Sequence, residues 1–90
     1  MQLSEFQTFK RGQSEAFFVL GTSAFYDHQR TGVLPPPIKM NGTNASQWLV
    51  SELTACKAAM IAGASSDELK TLVAKLVAKR QEFKKLAVAA

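Results

Sequence analysis

Three consecutive prolines, Pro35-Pro36-Pro37, constrain the fold of this chain more than any other feature of its sequence. Proline lacks a backbone N–H and fixes φ, so this run forbids a helix and holds the backbone extended. Gly32 stands just before the run and Asn41-Gly42 just after it, and both are typical of breaks in regular structure. Any helix on the N-terminal side must therefore end before residue 35.

The residues after the prolines predict a β-hairpin over residues 37–49. Ile38-Lys39-Met40 alternates apolar and polar side chains, as a strand does. Asn41-Gly42 is a strong hairpin signal, because both residues tolerate the positive φ of a type I′ turn. The chain from Thr43 to Trp48 then returns as the partner strand. We expect Trp48 to lie in the core, where a large ring contributes much buried area.

The segment before the prolines predicts a helix over residues 22–31. A hydroxyl of Thr22 or Ser23 is expected to cap this helix by accepting a backbone N–H. Gly32 is expected to end it in the left-handed conformation. Two aromatic residues are expected to face inward: Phe25 and Tyr26.

Residues 3–20 permit more than one interpretation. Leu3, Phe6 and Phe9 have a weakly helical spacing, and the apolar segment at residues 13–20 fits either a helix or a strand. The sequence leaves open whether residues 3–20 form one helix or two pieces.

Two further helices are predicted after the hairpin. Ser51 is expected to cap the third, which ends at Gly63, and Ser65 and Glu68 have the spacing of a capping box at the start of the fourth. Apolar residues recur along the fourth helix at three- and four-residue steps and form what we call the apolar stripe: Leu69, Leu72, Val73, Leu76, Val77 and Phe83. Arg80 interrupts the stripe, and its charged end is expected to extend to water.

The composition fits one small domain. The chain has 90 residues, of which 47% are hydrophobic and 20% charged, so it can fold around a modest core. Its net charge of +4 permits an anionic partner without requiring one. The single cysteine, Cys56, excludes an intrachain disulfide, is typical of a core position and fits a reducing compartment.

Several classes of function are not expected. One cysteine and one histidine, His28, provide no metal-ligand spacing. The sequence has no catalytic Ser/His/Asp set, no glycine-rich phosphate loop and no obvious carboxylate pair, so we predict no enzyme, no cofactor and no small-molecule substrate. The first residues lack the pattern of a signal peptide, and no apolar run approaches the ~18 residues of a membrane helix. A cytoplasmic protein is therefore expected.

The predicted order of helix, short turn, helix, hairpin and helix is typical of a winged helix-turn-helix. The segments Leu20–Asp27 and Arg30–Lys39 resemble the AlpA family of phage and prophage regulators, which has a Ser-x-x-Tyr helix, a glycine, Pro-x-Pro and a Val/Ile-Lys strand. Gly42–Trp48, followed by Ser51–Leu53, is similar to the hairpin return of that family, Gly-x-Asn-Ala-Ser-Arg-Trp and then Ser-Glu-Val. The resemblance covers roughly residues 20–80.

The resemblance implies a mainly α fold with a small β-hairpin: a MerR-like, excisionase-related winged helix-turn-helix over residues 1–64 and a long C-terminal helix over residues 65–90. It implies a small sequence-specific protein that binds double-stranded DNA in a bacterial or phage-infected cell, and that regulates prophage transcription or directs excision as a recombination directionality factor. The residues expected to contact DNA are Thr22, Ser23, Tyr26, Arg30, Lys39, Thr43 and Asn44.

Each expected contact has a structural alternative. Thr22 and Ser23 are also candidate caps, Tyr26 a core residue, and Arg30 a partner of the helix C-terminus. The family often has arginine where Thr22 and Gln47 stand here. Residues 22–44 carry a net charge of only +1, from Arg30 and Lys39 against Asp27. A lone copy is therefore expected to bind DNA weakly, and cooperative assembly on repeated sites would compensate.

The apolar stripe is predicted to be a protein interface. At its far end Val77 and Phe83 would face water unless a second copy or a partner helix covered them, and the burial of such a side chain is worth roughly 1.5–3 kcal/mol. A homodimer or a cooperative oligomer on DNA is the expected assembly. The alternative function is a helical protein–protein adaptor or inhibitor that keeps the winged-helix fold only as a scaffold.

Overall fold

The computed structural model describes residues 6–39 and 45–89, which are mainly helical with a small antiparallel sheet. The sheet consists of β1 (Thr8–Lys10), β2 (Ile38–Lys39) and β3 (Ser46–Leu49). The strand order is β1–β3–β2, so β3 is central and pairs with both neighbours. The predicted mainly α class is confirmed, and the sheet contains a strand, β1, that the sequence did not predict.

The strands β2 and β3 pair as the predicted hairpin requires. Ile38 lies opposite Gln47, and Lys39 lies opposite Ser46. The strand β2 begins directly after Pro37, since a proline cannot donate a hydrogen bond to the ladder. The predicted turn at Asn41-Gly42 lies outside the described residues.

The N-terminal segment is a strand followed at once by a helix. The strand β1 passes directly into α1 (Arg11–Phe18). Phe9 lies opposite Trp48 in the ladder, so β1 exists because it pairs with a strand far along the chain. The weakly helical interpretation of this segment is therefore wrong at residues 8–10, and the two-piece interpretation of residues 3–20 is the closer one.

The helix α2 (Thr22–Arg30) ends as predicted and begins differently. Gly32 follows it with φ of 86°, the left-handed conformation in which glycine has no steric penalty. The N-cap is Gly21, so the prediction of a hydroxyl cap is wrong. The hydroxyl of Thr22 instead donates to Oε1 of Glu15 at 3.1 Å, which ties the start of α2 to α1.

The helix α3 (Val50–Ile61) starts immediately after β3. Leu49 is its N-cap residue, and Ser51 lies within the first turn, so the predicted Ser51 cap is wrong. The cause is the direct passage from strand to helix, which places the last sheet residue at the cap position. The helix ends just before Gly63, as predicted.

The helix α4 (Ser66–Ala89) begins with the predicted capping box. The backbone N–H of Ser65 donates to Oε1 of Glu68 at 2.9 Å, and the N–H of Glu68 donates to Oγ of Ser65 at 3.2 Å. Hydrogen bonds from Ser65, first from its backbone and then from its side chain, lower the pKa of Glu68. The start of α4 is thus fixed by its own sequence, as local capping signals allow.

Val19 stands in the turn between α1 and α2 in the left-handed conformation, with φ of 56°. Its N–H donates to the carbonyl of Ala16 at 3.1 Å, and the N–H of Leu20 donates to the carbonyl of Glu15 at 2.9 Å. The conformation is costly for a β-branched residue, and the Val19 side chain is 85% exposed, so burial does not offset the cost. The backbone hydrogen bonds therefore hold Val19 in a left-handed conformation that a β-branched residue disfavours.

Replacing Val19 with glycine is expected to raise the free energy of unfolding by about 0.5–1 kcal/mol. Relief of left-handed strain is worth roughly 1–2 kcal/mol, and the greater freedom of glycine in the unfolded chain removes part of that gain. Urea unfolding followed by circular dichroism measures the change. Val19→Ala is the control, because alanine keeps the Cβ and should gain less. An equal gain in both variants would place the effect in the exposed side chain instead.

The core centres on a pair of aromatic rings from α2 and β3. The ring centroids of Phe25 and Trp48 lie 5.3 Å apart in an edge-to-face arrangement. Trp48 is 1% exposed and Cys56 is fully buried, which confirms both core predictions. Burial, and then the charge of Glu52, raises the pKa of the Cys56 thiol to about 11. The buried cluster comprises Phe25, Leu34, Trp48, Leu53, Cys56 and Val73.

The apolar stripe of α4 packs against this same core. Its members turn inward to different degrees: Leu69 and Val73 are buried, whereas Leu72, Leu76 and Val77 are half-buried. The ring of Phe83 lies 5.1 Å from that of Phe6. The expectation that Val77 and Phe83 would face water without a second copy is therefore not met, because their own chain covers part of each.

Arg80 joins α4 to two other parts of the molecule. Its Nε donates to Oε2 of Glu52 at 2.8 Å, and its Nη2 donates to Oε1 of Glu52 at 2.5 Å. The same Nη2 donates to the carbonyl of Pro36 at 2.9 Å. The Glu52 side chain is only 5% exposed and that of Arg80 only 18%. The expectation that Arg80 would extend to water is wrong, since a buried carboxylate on α3 holds its guanidinium.

Candidate nucleic-acid interface

The outer face of α2 is exposed and largely polar. Phe25 anchors the opposite face in the core, so the remaining residues of the helix are displayed at three- and four-residue steps. The exposed residues of this face are Thr22, Ser23, Tyr26, Asp27 and Arg30. Four of them, all except Asp27, are residues that the sequence predicted to contact DNA. The inward orientation expected for Tyr26 is wrong, because it is 46% exposed.

Arg30 pairs with Asp27 on this face at 3.2 Å, and both side chains are largely exposed. Such exposed pairs contribute roughly 0–1 kcal/mol, so an anionic ligand can replace the carboxylate at little cost. His28 is half-buried, and its Nδ1 lies 2.7 Å from the carbonyl of Ala24 in the preceding turn. His28 therefore belongs to the framework of the helix more than to its outer face.

Arg11 extends the face beyond α2. Its Nη1 donates to Oη of Tyr26 at 3.1 Å, and its Nε lies 3.5 Å from Oε2 of Glu15. The hydrogen bond and charge interaction with Tyr26, and then the charge of Glu15, raise the pKa of Arg11. The guanidinium thus stays charged beside the tyrosine. Sequence reasoning missed Arg11 because it did not place the start of α1.

A cleft of about 410 Å³ lies between the start of α1, the middle of α2 and the sheet. Its walls carry more hydrogen-bond donors than acceptors. The polar groups on them belong to Lys10, Arg11, Tyr26, Gln29, Ser46 and Trp48. Among the described residues, the indole Nε1 of Trp48 and Oε1 of Gln29 are buried without a hydrogen-bond partner. Buried polar atoms normally have partners, so these two atoms are candidates to bond a ligand in the cleft.

The remaining predicted contacts belong to the hairpin. Lys39 is exposed at the end of β2 and lies opposite Ser46, which is itself on the wall of the cleft. Thr43 and Asn44 lie outside the described residues. Among the described residues predicted to contact DNA, Tyr26 lines the cleft, and Lys39 pairs with Ser46 on its wall. The sequence did not reveal this cleft.

A second cleft, of about 440 Å³, lies between α3 and α4. Leu49, Leu76 and Phe83 give it an apolar floor, and Lys79 and Glu82 lie on its walls. It includes two members of the apolar stripe, Leu76 and Phe83. A third groove, on the first turns of α4, includes another member, Leu72.

No family model, curated protein or solved structure matches this chain. Within residues 6–39 and 45–89, no three His, Cys, Asp or Glu side chains lie close enough together to hold a metal ion. No helix in those ranges is both long and apolar enough to cross a membrane. The functional assignment therefore depends on the α2 face, the hairpin and the cleft between them.

Proposed function

We propose that this chain is a winged helix-turn-helix protein that binds double-stranded DNA in a sequence-specific manner. The observation that carries the proposal is the exposed polar face of α2 beside an antiparallel hairpin, with α1 joined to α2 by a short turn. An α-helix with its side chains is about 10–12 Å in diameter, and the major groove is about 12 Å wide, so a helix such as α2 fits the groove. The α2 helix is thus the reading element, and the β2–β3 hairpin is the wing.

The charge around α2 supports a DNA partner of modest affinity. Lys10, Arg11, Arg30 and Lys39 oppose Glu15 and Asp27, which leaves 4 − 2 = +2 in this part of the chain. Both acids pair with arginines, Glu15 with Arg11 and Asp27 with Arg30. Phosphates would compete with these carboxylates, so binding should weaken steeply as salt increases. Cooperative binding of several copies on repeated sites would raise the overall affinity.

The proposed biological role is that of a phage or prophage transcriptional regulator or an excisionase. The resemblance of residues 20–80 to the AlpA family supports this role. Selection of bound duplexes from a random pool, followed by footprinting, tests it. Repeated sites near an integrase promoter or an attachment site support the role, whereas binding without sequence preference contradicts it.

The double substitution Ser23→Ala with Arg30→Ala is expected to weaken binding to a selected duplex by about 1–3 kcal/mol, because each removes a contact from the reading helix. Both side chains are exposed, so circular dichroism should show an unchanged fold. Fluorescence anisotropy measures the affinity. Lys75→Ala is the matched control, since it removes a positive charge from the exposed surface of α4. An equal loss in the control would indicate that the lysines of α4 provide the affinity.

The second candidate function is a protein–protein adaptor. The apolar cleft between α3 and α4 favours it, because Leu76 and Phe83 of the apolar stripe remain partly accessible there. An adaptor would bind duplex DNA weakly or not at all and would show no linear dependence of log affinity on log salt. A titration of duplex binding with increasing salt therefore distinguishes the two candidates.

A further inference from the structure

The cleft between α1, α2 and the sheet has the composition of an anion site. Lys10 is the N-cap residue of α1, and Arg11 is its first residue. The first turn of α1 contains no acidic residue, although the positive end of the helix dipole favours one. Two cations at a helix N-terminus repel that dipole, so an anion placed there relieves the repulsion.

Two buried polar atoms supply an independent indication of a ligand, one on the buried Trp48 and one on the half-buried Gln29. Trp48 is 99% buried, lines the cleft and carries an indole N–H without a partner in the described part of the chain. Gln29 also lines the cleft, and its amide oxygen is likewise unpaired there. Rotation of the Gln29 amide by half a turn exchanges that acceptor for a donor. The hydroxyls of Tyr26 and Ser46 are also on the walls.

We propose that this cleft binds one phosphodiester group of the duplex, with the Trp48 indole N–H and the Arg11 guanidinium as donors to its oxygens. The proposal rests on the proposed DNA-binding function and adds a backbone anchor beside the reading helix. A phosphate is favoured over a nucleobase or a neutral ligand because the walls supply cations and several donors, and the Gln29 amide can present a donor after rotation.

The anchor would also set the position of α2 in the groove. Arg11 already donates to Oη of Tyr26, so a phosphate held by Arg11 is linked to the reading face through one side chain. Contacts to phosphates fix register and orientation without reading sequence. The loss of the anchor should therefore weaken binding to all duplexes by a similar factor, whereas the loss of the Ser23 hydroxyl from the reading face should change the sequence preference.

The single tryptophan gives a direct test, because a ¹⁵N-labelled sample has one indole N–H resonance. During titration with a selected duplex, we expect this resonance to shift and to saturate together with the backbone amides of α2. Trp48→Phe keeps an aromatic ring but removes the donor, and Arg11→Gln removes the charge; each should weaken binding about 10-fold or more, as the loss of a hydrogen bond to a charged group does. Arg11→Gln should also lower the salt slope by about 1.

Lys75→Gln on α4 serves as the charge control. It should change the affinity and the salt slope by less than Arg11→Gln does. An indole resonance that stays in place while the α2 amides shift, with an unchanged salt slope in Arg11→Gln, would refute the phosphate anchor and leave the proposed function intact. A protein whose α2 amides do not respond to any selected duplex would refute both. The affinity of Trp48→Phe is interpreted only if its circular dichroism matches that of the wild type. If it does not, Arg11→Gln alone tests the phosphate anchor, because Arg11 is exposed and its replacement should not disturb the fold.

Discussion

Replacing Arg80 with methionine is expected to lower the free energy of unfolding by about 3–5 kcal/mol, the usual cost of removing one partner from a buried ion pair. The substitution leaves the Glu52 carboxylate, which is 5% exposed, without its guanidinium, and it removes a donor from the carbonyl of Pro36. Urea unfolding followed by circular dichroism measures the loss. Lys75→Met is the control, since it replaces an exposed cation of the same helix and should change stability by less than about 0.5 kcal/mol.

A second substitution separates the ion pair from the packing of the arginine stem. In the double variant Glu52→Gln with Arg80→Met no charge remains buried, so the double variant should be more stable than Arg80→Met alone. Replacement of a whole buried pair by uncharged residues is often close to neutral. If Glu52→Gln fails to restore stability, the cost belongs to lost contacts of the Arg80 side chain, and the buried charge is not its cause.

Replacing Trp48 with alanine is expected to cost about 3–5 kcal/mol, a large part of the free energy of unfolding of a domain this small. The ring is 1% exposed and meets Phe25 at 5.3 Å, so its removal opens the centre of the core. Circular dichroism and urea unfolding measure the effect. Trp48→Phe should be much milder, because phenylalanine keeps an aromatic ring opposite Phe25 and removes an indole N–H that has no partner among the described residues.

The native fluorescence gives an independent check on Trp48. A buried indole should emit at shorter wavelength than one in water, and unfolding should move the emission to longer wavelength. A native spectrum that already matches the unfolded one would contradict the buried position. Similar stability of Trp48→Ala and Trp48→Phe would indicate that the ring at this position adds nothing to the core.

The elements that the sequence predicted are those encoded by neighbouring residues. The prolines and Gly32 define the end of α2 and the start of the hairpin, and Ser65 with Glu68 defines the start of α4. The strand β1 has no local code, since it is three residues long and forms by pairing with β3. Short strands of this kind depend on contacts that are distant in sequence, which local patterns do not report.

The same limit applies to the candidate site. The α2 residues were found because a helix displays residues at regular steps, and a helix was predicted there. Arg11 and the cleft were missed, because they arise only when α1, α2 and β3 meet. Arg80 was noticed as an irregularity in the apolar stripe, but its partner, Glu52, lies on a different helix. A charged residue at an apolar position of a helix is thus a signal whose meaning requires the fold.

The strand order also determines when this protein can fold during its synthesis. The central strand β3 leaves the ribosome after β1 and β2, so neither outer strand has its partner until residue 49 has emerged. The core then still lacks Leu69 and Val73 of α4, which emerge last. At the usual 5–20 residues per second the delay is about a few seconds. Until then the nascent chain exposes Phe25 and Trp48, and chaperones that recognise aromatic segments should bind it in that interval.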